Sequence, residues 1–96
     1  MEPDAFTKFL QASIRIRLEF IEGLMQENLR NIAQWNDKHP QDVPVDCETE
    51  RVVLQNIYKA KECLEAGDMA AMEWFNQKVV ESLEAARAER EHRGLS

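Results

Sequence analysis

The stretch from Phe6 to Met25 is too apolar for a helix with one buried face. Its apolar members are Phe6, Phe9, Leu10, Ile14, Ile16, Leu18, Phe20, Ile21, Leu24 and Met25. At about 100° per residue they spread over roughly 200° of the helix circumference, about twice the stripe that a single core covers. A helix of this kind is buried on two sides, once against its own chain and once against another polypeptide.

The helix is expected to run from Asp4 to about Lys38. Pro3 has no backbone N–H to lose, Asp4 is a good N-cap, and the acids Glu2 and Asp4 suit the positive end of the dipole. Gly23 costs about 1 kcal/mol relative to Ala in a helix interior. Phe20, Ile21, Leu24 and Met25 nevertheless keep helical spacing across it. Beyond Met25 the stripe narrows to Leu29, Ile32 and Trp35, the pattern of an ordinary one-sided helix.

Residues 39–46 read as a stiff loop, since Pro40 and Pro44 disfavour helical geometry at His39 and Val43. Val43 and Val45 are expected to tuck back onto the protein. Asp46 is the expected N-cap of a second helix over 47–66, with Glu48 and Glu50 in its first turn. That helix buries Val53, Ile57, Ala60 and Leu64. Gly67 should end it in a left-handed conformation, and Asp68 should cap a third helix over 69–91 that turns Met72, Phe75, Val79, Leu83 and Ala86 inward. So short a turn makes the last two helices an antiparallel hairpin. The run Leu64 to Met69 resembles the turn of a tetratricopeptide repeat. A solenoid needs about three such units and one is present, so the likeness is one of hairpin chemistry. Residues 92–96 are expected to fray.

The expected fold class is therefore all-α, a single helical domain over 1–96 with a long N-terminal helix packed on a helical hairpin. A helix of about 35 residues is roughly 50 Å long, whereas partners of about 20 and 23 residues reach only about 30 to 35 Å. The hairpin cannot cover it from end to end, and the N-terminal, most apolar part is left over. Homodimerisation, helix one against helix one about a two-fold axis, is the simplest way to bury the excess. The alternative is a break at Gly23 and a four-helix monomer. The candidate interface consists of Phe6, Phe9, Leu10, Ile14, Ile16, Arg17 and Phe20, with Trp74 on the third helix. Arg17 either lays its stem along apolar surface or anchors a partner through its guanidinium. Trp74 has three readings: under the 39–46 loop, at the dimer seam, or as an exposed aromatic anchor.

The chemistry of the remaining residues points away from catalysis. No catalytic, cofactor-binding or metal-ligating set is expected. Glu89 and His92 match half of a di-metal motif, but the second copy and the other inward carboxylates are missing. Cys47 and Cys63 share one helix about 24 Å apart, too far for a disulfide, so two reduced thiols are expected. Eighteen acids against twelve Lys and Arg give a net charge of −6, which repels phosphate backbones and anionic lipid. Neither nucleic acid nor a membrane is an expected partner. The first residues lack the basic and apolar runs of a signal peptide, so a cytoplasmic location is expected. These features suit a small non-enzymatic regulatory binder, such as an antiactivator that occupies the oligomerisation surface of a bacterial transcription regulator. The other readings are an assembly subunit or chaperone, and a bundle that holds an apolar small molecule near Met25, Met69 and Met72.

Overall fold

The computed structural model describes residues 4–92, without the side chains of Asp4, Arg90 and His92. Expectations that fall on Met1–Pro3, on residues 93–96 or on those side chains lie outside the described residues. Within them the chain is all-α, in three helices: α1 (Asp4–Lys38), α2 (Glu48–Ala66) and α3 (Met69–His92). They form a slab of 63 × 26 × 18 Å.

The helix ends follow local chemistry. Gly67 stands just past α2 at φ 78°, ψ 10°. Its N–H donates to the Leu64 carbonyl at 3.2 Å, while the Asp68 N–H donates to the Cys63 carbonyl at 2.9 Å. This pair of bonds is the Schellman pattern, which satisfies two carbonyls that the helix end would otherwise strand. One residue later the Asp68 carboxylate accepts the Ala71 N–H at 3.1 Å and starts α3. The start of α2 departs from expectation by one residue. Cys47 occupies the N-cap position and makes no side-chain cap bond. The Asp46 carboxylate, one residue earlier, accepts the Glu48 N–H at 3.1 Å instead.

The middle helix is α2. It packs on both α1 and α3, whereas α1 and α3 have no α-carbons within 8 Å of each other. The core is made of Leu18 and Met25 from α1, Val53, Leu54, Ile57, Ala60 and Leu64 from α2, and Met72 and Val79 from α3. Ile14, Ile21, Leu29, Phe75 and Leu83 pack around it. Along one flank, Lys61 of α2 reaches Glu22 at 3.0 Å and Glu19 at 3.7 Å on α1, and Arg15 reaches Glu65 at 3.6 Å. The Lys61 pKa is held above its ordinary value, chiefly by the hydrogen bond to Glu22, with partial burial opposing. These ion pairs set α1 antiparallel to α2, so that Arg15 lies beside the C-terminal end of α2. The first turns of α1 therefore project past the hairpin.

The loop is pinned by hydrogen bonds and not by apolar burial. Val43 is 88% exposed and Val45 is also exposed, contrary to the expectation that both tuck inward. The side-chain amide of Asn36 does the work of a strand partner. Its Oδ1 accepts the Val45 N–H at 2.9 Å and its Nδ2 donates to the Val45 carbonyl at 3.4 Å. His39 closes α1 by stacking on Trp35 at 3.9 Å between ring centroids. The His39 Nδ1 lies 2.8 Å from the Trp35 carbonyl oxygen, so that nitrogen carries the hydrogen.

Candidate protein-binding face of the first helix

α1 is continuous through Gly23 and presents two apolar faces on opposite sides. Leu18 and Met25 are buried against the hairpin, with Ile14, Ile21 and Leu29 around them. Phe9, Ile16 and Phe20 lie roughly 160–180° around the helix from Leu18. They are correspondingly open: Phe6, Ile16 and Phe20 are each 67% exposed and Phe9 65%. Leu10 and Leu24 flank them, also exposed.

The exposed side chains recur every seven residues. Phe6, Ser13 and Phe20 form one row, Phe9, Ile16 and Gly23 a second, and Leu10, Arg17 and Leu24 a third. This is the spacing of a coiled-coil seam, a pattern in which two rows face a second helix and the third borders it. It spans about 27 Å of helix. It stops at Glu27, Arg30 and Asn31, where the same side becomes polar. Among the described residues, and apart from the helix's own backbone, a methyl group added at Gly23 would meet no atom within 4 Å.

The candidate residues divide in three ways. Phe6, Phe9, Leu10, Ile16, Arg17 and Phe20 share the open face. Ile14 does not; it is partly buried and packs against the core, because it lies only about 40° from Leu18. Trp74 is not gathered with them, since it sits on α3, beyond α2. It is 57% exposed, edge-on to Phe75 at 4.9 Å and under the Lys78 ammonium at 4.9 Å, and is not beneath the loop. Leu24 belongs to the face and was not among the candidates. The spacing Leu10, Arg17, Leu24 is the signal that marks it. Arg17 and Lys8 are exposed, and among the described residues neither has an ion-pair partner.

A second feature is an open groove of about 750 Å³ between the C-terminal half of α1, the loop and the far end of α3. Asp46, Glu48, Glu50 and Glu89 give it an acidic rim around Ile32, Val43 and Val45. Among the described residues no group of three or more His, Cys, Asp or Glu could hold a metal ion, and no helix is long and apolar enough to cross a membrane. Cys47 and Cys63 are free thiols. Comparison of the chain with family models, curated proteins and solved structures finds no match, so the open face of α1 is read from its own chemistry.

Proposed function

We propose that this chain is a small, non-enzymatic regulatory protein that works by binding other polypeptides through the open face of α1. The observation that supports this reading is that one continuous helix carries a buried apolar face and, opposite it, a second apolar face with no cover among the described residues. Large side chains in water at this density mark an interface, because each contributes roughly 1.5–3 kcal/mol once buried. A helix-in-groove or helix-to-helix mode suits the seven-residue spacing. The target class we favour is a bacterial transcription regulator whose own oligomerisation helix is occupied, the action of an antiactivator. In this reading Phe6, Phe9, Leu10, Ile16 and Phe20 supply contact area and Arg17 supplies orientation. The protein is homodimeric when free. The acidic rim near α2 steers a basic partner toward the molecule.

The test is affinity capture from the source cell with the wild type and with a Phe9→Asp, Ile16→Asp variant. Expression of each form against regulator-dependent reporters completes it. A regulator retained by the wild type and lost by the variant, with matching reporter repression, is the expected result. An unchanged set of captured proteins would remove the open face from the function.

A further inference from the structure

The open face of α1 has the shape to receive one occupant in particular. We propose that it pairs with a second copy of itself, antiparallel, in the register that sets Phe6 opposite Gly23, Phe9 opposite Phe20 and Ser13 opposite Ile16. The inference rests on the reading of this face as a binding surface and names its partner in the free protein.

Size complementarity chooses the direction. Two-stranded packing layers one side chain from each helix across the seam. Paired parallel, the rows would layer like with like: Phe6 on Phe6, Phe9 on Phe9, but also Ser13 on Ser13 and Gly23 on Gly23. The last two layers would leave voids between bulky neighbours, and unfilled volume in a core is destabilising. Paired antiparallel about a two-fold axis between Ser13 and Ile16, every layer of the two rows closes at once. Gly23, where an added side chain would meet nothing among the described residues of its own chain, makes room for Phe6. Ser13 makes room for Ile16, and Phe9 meets Phe20 as an aromatic pair.

The hairpins do not obstruct this arrangement, because each packs on the Leu18 and Met25 side of its own α1.

Area is sufficient. At about 200 Å² for a large side chain, the exposed parts of Phe6, Phe9, Leu10, Ile16, Phe20 and Leu24 leave on the order of 600 Å² of apolar surface per copy. A standard stable interface removes about 800 Å² per partner, which the flanks of the seam would complete.

The test uses the full chain with Cys47→Ser, Cys63→Ala and Arg30→Cys, spin-labelled at position 30, outside the seam. Light scattering should give a dimer, and the antiparallel register places the two labels roughly 45 Å apart along the axis. Labels within about 20 Å would mean parallel pairing and would overturn the proposal, as would a monomer with no interspin distance. Adding Phe9→Asp and Ile16→Asp should abolish the dimer and leave the helix content unchanged. Should that variant form the same dimer, the seam lies elsewhere and the proposal falls. These outcomes separate from those of the functional reading. A monomeric wild type whose variant still loses captured proteins removes the second copy and retains the binding face. An antiparallel dimer whose variant captures the same proteins does the reverse.

Discussion

The two faces of α1 are both apolar and differ in what lies against them. One face, around Leu18 and Met25, is sealed by α2; the other, around Phe9, Ile16 and Phe20, is open along its length. The aromatic side chains of this helix half are all on the open face, and the sealed face holds aliphatic chains and methionine. The sealed face is bordered by Lys61, Glu22 and Glu19 in a set ion-pair arrangement, while Arg17 beside the open face has no such partner among the described residues. The comparison teaches that hydrophobicity alone does not tell which face the chain covers, and that satisfied charges lie at the margin of the one it does.

Substitutions that act on one face and spare the other would break or sharpen this contrast. The largest effect on folding is expected from Leu18→Ala, which empties a fully buried position and should cost about 3 kcal/mol. Urea denaturation in the Phe9→Asp, Ile16→Asp background reads this without a contribution from association. Those two aspartates themselves should weaken self-association by at least about 100-fold and change the unfolding free energy of the monomer by less than about 1 kcal/mol. Sedimentation paired with denaturation checks both; a large loss of monomer stability would show that the open face supports the fold.

The glycines give smaller effects of opposite sign. Gly67→Ala should cost about 1 kcal/mol, because a left-handed φ of 78° strains a side chain even where space is free. Gly23→Ala should stabilise the monomer by up to about 1 kcal/mol, since the helix gains propensity and the added methyl meets nothing. The same change should weaken the dimer by crowding Phe6 of the other copy, a split visible only when stability and association are both measured.

The smallest effect concerns the margin of the sealed face. Lys61 is raised above the ordinary lysine value of about 10.4 on folding, so its contribution is complete at neutral pH and is lost as pH climbs through the raised value. With the lysine partly exposed, Lys61→Met should cost about 0.5–1 kcal/mol at pH 8. The gap between variant and wild type should narrow as the pH is taken above the raised lysine value, read as urea midpoints across that rise. A gap that persists would mean that the aliphatic stem of Lys61, not its charge, makes the contact.

Much of the fold was legible because its determinants are local. The left-handed Gly67, the Asp68 cap and the inward line Val53, Ile57, Ala60 and Leu64 all follow from spacing within a few residues. Ile14 and the two loop valines were not legible in the same way. Ile14 sits near the border between the two faces, and which border residue turns inward depends on where α2 docks. Val43 and Val45 are apolar, but Asn36 holds the chain there by its amide, and a hydrogen bond between positions nine residues apart leaves no periodic trace. Trp74 likewise depends on the side of α3 that α2 leaves free.

By itself the sequence determined, to within a residue, where the helices begin and end and that α1 carries more apolar surface than one core can take, because caps, breakers and periodicity act through neighbouring residues. Only the tertiary structure decided which side of α1 became the core and which remained open. That choice depends on the line along which α2 settles, with the Lys61 and Arg15 ion pairs at its margin, and both are relations between segments distant in the chain.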